Sequence, residues 1–396
     1  MDFLARNSEN DESNGLRQEM VNRLKNLGLV RSGPVEEALR LVPRHLFVPQ
    51  VDVKTAYNDQ AVVTRWQDDE AISSASAPSI VTLMLELLDL HPGQRVLEIG
   101  AGTGYNAALM ARLVGESGSV VTIDIDDEIV RGAREHLEAV GIKNARVMCG
   151  DGALGWASGA PYDRVILTAA VADLLPAWHE QLVRGGRLVG PLELLRSHAK
   201  FTELPVMPDQ FLVAFEWTGD HFESLALLPC IFMPLRGEYS AVVREVGVHK
   251  AAGELSADLP RGIEAQDIFA LLRGSMEDEP TEVHLAFQEM FGLRLWLALR
   301  EAHFCEIYVP ERLNTEAIPA HLHRARDFAT AIGLCEADTC CLLKLEEELE
   351  GQPVDAKRPF RLVLRSFGKN HELISNLREQ VEIWDRAGHP FVWNMD

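Results

Sequence analysis

Val96-Leu97-Glu98-Ile99-Gly100-Ala101-Gly102-Thr103-Gly104-Tyr105-Asn106-Ala107-Ala108 is the stretch on which the reading of this chain turns. A short apolar run opens it, glycines follow at three alternate positions, and helical spacing begins at Asn106, so the layout is strand, tight turn, helix. Glycines at such a turn let backbone come close to a ligand that a side chain would hold off. The free N–H groups of the new helix face the same ligand. This is a nucleotide-binding corner. A dinucleotide fingerprint would place a third glycine where Tyr105 stands, so the spacing disfavours a nicotinamide cofactor. Past Gly104, the run Val120-Val121-Thr122-Ile123 ends on Asp124, where a doubly wound sheet offers a carboxylate to ribose hydroxyls.

Outward from this corner the pattern alternates. Strands are predicted at Arg95 to Ile99, Ser119 to Asp124, Ala145 to Cys149, Asp163 to Thr168 and Arg187 to Gly190, with helices at Asn106 to Leu113, Asp127 to Val140 and Ala172 to Leu182. Apolar strands separated by helices imply a mostly parallel sheet covered on both faces, an α/β fold whose ligands sit at the strands' carboxyl ends. Gly100, Asp124, Asp151 and Thr168 all fall at such ends. Upstream, Gly15 to Leu27 and Pro34 to Leu41 read as helices. The two prolines of Val42 to Pro49 make it a linker with Phe47 in the core, and Gln67 to Ala71 reads as a polar loop. Ile72 to Ser79 is either a serine-capped turn before a helix starting at Pro78 or a set of hydroxyls beside a ligand.

Downstream, Gln210 to Glu216 and Ser224 to Leu228 read as further strands. Periodicity weakens from Arg236 to Asp278, so a domain boundary is expected near Gly237, giving domains at 1–237 and 238–396. In the second, an α+β accessory domain for substrate recognition or packing, Val283 to Phe291 and Asn370 to Arg386 read as helices and Arg361 to Arg365 as a strand. Leu293 to Leu299 is apolar, and Trp296, Phe304, Trp384 and Trp393 are scattered aromatics. The run Glu346 to Glu350 reads as a solvated loop.

Composition narrows the function classes. Lys+Arg of 38 against Asp+Glu of 60 gives a formal charge of -22, which repels a phosphate backbone, so nucleic acid is not an expected partner. The six cysteines lack C-x-x-C spacing, so no metal site and no disulfide scaffold are expected and reduced thiols are the default. No apolar run reaches membrane-spanning length, and a cytoplasmic protein without a membrane partner is expected.

Gly-x-Gly-x-Gly after Glu98 resembles the first motif of S-adenosylmethionine (SAM) methyltransferases. From about Val42 to Pro191 the chain resembles protein-L-isoaspartate O-methyltransferases. The matching motifs are Pro-Arg-x-x-Phe-Val (Pro43 to Val48), Ala-Tyr-x-Asp (Ala56 to Asp59), Ser-Ala-Pro (Ser76 to Pro78), the glycine motif through Tyr105, Gly-Asp-Gly (Gly150 to Gly152) and Gln-Leu-x-x-Gly-Gly-Arg-Leu-Val (Gln181 to Val189). Ser-Ala-Pro just upstream of the glycines is the specific part. The resemblance implies a Rossmann-like class I fold, SAM as cofactor with S-adenosylhomocysteine as product, and no metal.

By the same resemblance Ser76 is the catalytic hydroxyl at the reacting carboxyl group, Gly100 and Gly102 approach the amino-acid part of SAM, Asp124 holds its ribose, and Asp151 with Gly152 lies at the adenine. Ser76 again, with Glu98, Gly104, Tyr105 and Thr168, completes the implied cofactor set, and Phe47, Tyr57, Asp59, Ser74 and Ala77 the substrate side. The substrate implied is a peptide or protein bearing an aspartyl or isoaspartyl carboxylate, whose methyl ester cyclises to a succinimide. Leu192-Glu193-Leu194 departs from the glycine usual in the family after the proline matching Pro191. Ser73 to Ser76, Phe232 to Gly237 and the long tail look more like the branch that tailors ribosomally made peptides, some macrocyclic, than like short repair enzymes. General isoaspartate repair is the alternative, and a non-catalytic SAM- or peptide-binding module the reading from another class. Because a carboxylate of pKa about 4 is already ionised at neutral pH, the chemistry needs positioning and water exclusion rather than a base.

Overall fold

The glycine-rich stretch lies at the centre of a seven-stranded sheet in the order β5-β4-β3-β6-β7-β8-β9. Here β3 is Arg95–Ile99, β4 Ser119–Asp124, β5 Ala145–Cys149, β6 Tyr162–Leu167, β7 Leu182–Glu193, β8 Gln210–Trp217 and β9 Phe222–Cys230. The computed structural model describes residues 2–194, 210–237, 249–250, 256–260, 262–287, 289–310, 318–319, 322–325, 328–347 and 360–390. Trp393 and positions 348–350 of the acidic run lie outside these. Among the described residues no helix is long and apolar enough to cross a membrane.

Strands β5 to β7 pair in parallel, and β7-β8-β9 close the edge as antiparallel hairpins. In β3 Val96, Leu97 and Ile99 are all buried, the signature of a strand covered on both faces. The chain order reverses between β3 and β6, so the topological switch point sits where Gly100 and Thr168 emerge. Helices α4 (Pro78–Leu88), α5 (Tyr105–Val114) and α6 (Asp127–Ala139) supply much of the core, preceded by α1 (Asp2–Asn26), α2 (Gly33–Leu41) and α3 (Val53–Ala56). Local signals explain their starts. Ser32 caps α2 by accepting from Val35 N, and Asp126 caps α6 by accepting from Glu128 N and Ile129 N.

Three expectations need correction. Gln67 to Ala71 and the serines are not a loop and capped turn: β1 (Val62–Gln67) and β2 (Glu70–Ala75) form an antiparallel hairpin turning at Asp68 and Asp69, both at positive φ. The serines do not cap α4. Its N-cap is Ala77, without a side-chain bond, and Asp59 Oδ1 accepts from Ser79 N at 2.8 Å instead. The helix expected at Ala172 to Leu182 shrinks to α7 (Pro176–Glu180): Val171 pairs with Leu192 instead, Pro176 starts the helix, and β7 begins at Leu182.

The chain divides into two compact units, Met1–Glu193 with Gln210–Val243, and Leu194–Asp209 with Arg244–Asp396. The second unit is α+β. Its antiparallel sheet runs β10-β11-β13-β15-β16-β17-β12, with β14 beside β15. The strands are β10 His249–Lys250, β11 Ser256–Asp258, β12 Met276–Leu285, β13 Phe304–Pro310, β14 Leu322–Ala325, β15 Phe328–Glu336, β16 Thr339–Glu347 and β17 Phe360–Gly368. One face packs on α9 (Glu289–Arg300) and α10 (His371–Arg386) through Leu293, Leu297, Leu377 and Trp384. The other packs on α8 (Ala265–Leu271) through Ile268 and Phe269. The helix expected at Val283 to Phe291 starts only at Glu289, because Val283 and Leu285 alternate inward as the end of β12.

Candidate active site

Five half-buried residues gather at the carboxyl ends of the parallel strands: Gly100 after β3, Gly102 in the turn, Asp124 closing β4, Asp151 after β5 and Thr168 after β6. The turn is built so that only glycine fits at its start. Gly100 has φ 99°, and a Cβ there would lie 2.3 Å from Thr168 Oγ1. That hydroxyl donates towards the carbonyls of Ile99 (3.0 Å) and Gly100 (2.7 Å), tying β6 to the turn across the switch point. Gly104, at φ 83°, is the N-cap of α5, and a Cβ would meet Ala133 O at 3.2 Å. Gly152 is packed as closely, since a Cβ would come within 2.4 Å of Ile99 Cγ2.

Asp124 accepts from Gly102 N (3.3 Å) and Asp126 N (3.2 Å), and Arg236 Nη2 stands 3.7 Å from its Oδ1. Burial pushes the Asp124 carboxyl up, opposed by those two backbone N–H groups and by Arg236. Asp151 accepts from Ala153 N at 2.9 Å and so caps a short 3-10 turn. Gly237, at φ 130°, approaches so closely that a Cβ would stand 2.6 Å from Asp151 Oδ2. The segment carrying Arg236 and Gly237 is fixed beside β6 by Ala170 N to Met233 O and Leu235 N to Ala170 O, both 2.8 Å. It brings a cation and a bare backbone to the two carboxylates. Sequence reasoning missed both roles, because nothing in linear spacing ties 236 to 124.

Glu98 is fully buried and accepts from Asn106 Nδ2 at 2.7 Å, bracing the start of α5. Burial pushes its carboxyl up to about 7, against the lowering effect of Thr122 and Asn106. Tyr105 is also buried, and burial pushes its hydroxyl up to about 12. Both side chains brace the loop, Glu98 through Asn106 and Tyr105 under the Arg44 guanidinium.

The serine strand is brought to the same place. A Cβ on Gly102 would touch Ser74 O at 3.6 Å, so the end of β2 lies against the glycine turn. Its backbone is held by Arg44, which is fully buried and donates to Ala56 O (2.9 Å), Ala75 O (3.3 Å) and Ser76 O (2.7 Å). The guanidinium also lies 4.9 Å above the Tyr105 ring. The Pro-Arg-x-x-Phe-Val motif by itself assigns Arg44 no role; a buried Arg feeding three carbonyls is what it encodes here. Ser76 and Ala77 follow, half-buried, with Asp59 exposed nearby through its bond to Ser79 N. Phe47 is fully buried edge-on to Tyr105, as its place in the Val42 to Pro49 segment leads one to expect, and Tyr57 is buried with its hydroxyl 2.8 Å from His45 Nδ1.

A family model for protein-L-isoaspartate(D-aspartate) O-methyltransferase matches residues 15–216. The chain is 43% identical over 178 residues to the protein-L-isoaspartate O-methyltransferase of Methanopyrus kandleri, covering 44% of this chain and 76% of that one. It is 36% identical over 219 residues to the protein of the same name from Ignicoccus hospitalis, covering 55% and 96%. A solved structure named protein-L-isoaspartate O-methyltransferase, 22% identical, shares the fold with a TM-score of 0.53 over 95% of this chain and 94% of its own.

Proposed function

The chain belongs to the protein-L-isoaspartate O-methyltransferase family, and from that premise we propose how its residues divide the work of methylating an isoaspartyl carboxylate. The fold is that of the class I SAM-dependent methyltransferases. Bound SAM supplies an electrophilic methyl group on a sulfonium centre.

The cradle that fits SAM is made of backbone and carboxylate. Gly100 and Gly102 leave room for its amino-acid end, Asp124 accepts from the ribose hydroxyls, and Asp151 with Gly152 borders the adenine. The observation that carries this reading is the convergence at the switch point of a half-buried Asp124, oriented by two N–H groups, with glycines whose missing side chains leave the space. On the substrate side, Ser76 donates its hydroxyl to one oxygen of the target carboxylate and leaves the other oxygen free to attack. Arg44 fixes the Ser76 backbone and thereby the direction of that hydroxyl. Asp59 spends its charge on the α4 N-terminus, so it does not confront the substrate as a bare anion. No proton has to be removed by the enzyme, since the carboxylate arrives ionised. Once esterified, the side-chain carbonyl is open to the next backbone amide, and the succinimide closes without further help.

The substrate best supported is an isoaspartyl residue in a peptide or protein, because the sequence match spans the methyl-transfer unit and the relatives carry that name. Tailoring of an aspartyl residue in a ribosomally made, macrocyclic peptide is the narrower reading; it rests on the resemblance of Ser73 to Ser76 and Phe232 to Gly237, and residues 217–396 do not decide it, because the solved structure of the family's name matches over 95% of this chain. The Ser76→Ala variant tests the core assignment. It is expected to bind SAM as the wild type does and to turn over isoaspartyl peptide at least about 10-fold more slowly, the order of one lost positioning hydrogen bond. Equal losses in SAM affinity and rate would make Ser76 a cofactor or structural residue.

A further inference from the structure

Cys305 on β13, Cys335 on β15 and Cys340 on β16 are free and fully buried. Cys335 and Cys340 face each other across the β15–β16 pair, while Cys305 faces Gly333, two residues before Cys335. Residues two apart share a face of a sheet, so register alone brings the three thiols to one side. Gly333 lets β15 and β16 approach, since a Cβ there would stand 1.9 Å from Cys341 O. Cys305 Sγ lies 3.0 Å from Cys335 Sγ, Cys335 Sγ lies 2.6 Å from Cys340 Sγ, and all three sulfurs fall within 4.8 Å of one another. Cys341, next along β16, belongs to the opposite face with α9 and α10.

We propose that these three cysteines form a binding site for one copper(I) ion inside the second unit. The donor set is sulfur alone, because among the described residues no His, Asp or Glu joins the group. Hard ions such as magnesium and calcium need oxygen ligands, and structural zinc closes with four donors. A soft monovalent ion is content with thiolates and a low coordination number. The walls are Ile268, Phe269, Ile307, Ala331, Leu342 and Phe367, an apolar lining whose side chains offer no oxygen or nitrogen donor to complete a harder ion's shell.

Three sulfurs bonded to one ion at about 2.3 Å sit about 4 Å apart, so the Cys305–Cys335 pair, now at 3.0 Å, and the Cys335–Cys340 pair, now at 2.6 Å, part by about 1 to 1.5 Å on binding. Binding forms three copper–sulfur bonds, releases thiol protons to solvent and moves no electrons. The ion pins β13, β15 and β16 together. The linear spacing of the cysteines hid this, because the sheet and not the chain makes them neighbours.

The test uses the full chain, reduced and oxygen-free, titrated with copper(I) against a competing chelator. The expected result is one ion per chain, a sulfur-only shell in X-ray absorption, and affinity reduced by about 100-fold or more in Cys335→Ser but kept in Cys341→Ala. The absorption spectrum of the wild type stands whether or not a variant folds. No stoichiometric copper, nitrogen or oxygen in the shell, undiminished binding by Cys335→Ser, or a Cys335–Cys340 disulfide that survives reductant would each overturn the proposal.

Discussion

Replacing Glu98 by glutamine removes a buried charge while keeping the shape and the acceptor that Asn106 Nδ2 uses. Burial raises the Glu98 carboxyl from 4.5 to about 7 in the folded chain. A carboxyl raised on folding contributes stability that is fully present below the unfolded pKa of 4.5 and is lost as pH rises through the folded value of about 7. The difference of roughly 2.5 units, at about 1.4 kcal/mol each, corresponds to about 3 kcal/mol. Glu98→Gln has no such dependence at this position. The variant should therefore match the wild type near pH 4.5 and become more stable than it as pH rises, by about 3 kcal/mol above pH 7. Urea unfolding of both proteins across that range measures it, since the titrations of groups not coupled to Glu98 cancel in the difference and only Asp124 is coupled to it electrostatically. A stability difference that stays flat with pH would mean that Glu98 titrates as an ordinary carboxylate, and the claim that burial dominates its environment would fail.

Two further substitutions probe the cofactor and substrate sides. Asp124→Ala should weaken SAM binding by about 1 to 3 kcal/mol, or about 10- to 100-fold, measured by calorimetry on a folded variant; unchanged affinity would remove Asp124 from the ribose. Arg44→Lys keeps the charge but loses the planar fork that reaches Ala56, Ala75 and Ser76, and should cost about 2 to 4 kcal/mol of stability in urea together with most of the turnover. A variant as stable and as active as the wild type would show that the fork does not hold the serine strand.

The core sheet was legible because its strands are short apolar runs divided by amphipathic helices. Arg95–Ile99, Ser119–Asp124 and Ala145–Cys149 appear with the bounds expected. The glycine turn was legible for the same reason that it works, since Gly100 tolerates no side chain beside Thr168. Elements set by long-range pairing were not. The β1–β2 hairpin is polar at its tip and turns on Asp68 and Asp69, so local composition reads as loop until Val62 is seen paired with Ala75. Val283 and Leu285 fit a helix by spacing, but pairing of β12 with β17 overrides it. Contacts such as Arg236 with Asp124, and the thiols of Cys305, Cys335 and Cys340, depend on which strands become neighbours, which spacing along the chain does not encode.

The most direct measurement is methyl transfer from labelled SAM to two peptides identical except for one residue, isoaspartyl in one and aspartyl in the other, with ester and succinimide followed by mass spectrometry. Methylation of the isoaspartyl peptide, with a succinimide appearing after the ester and little reaction of its aspartyl twin, is the predicted result. Methylation of neither peptide by a chain that binds SAM would contradict the account, and preference for the aspartyl peptide would move the substrate to the tailoring reading.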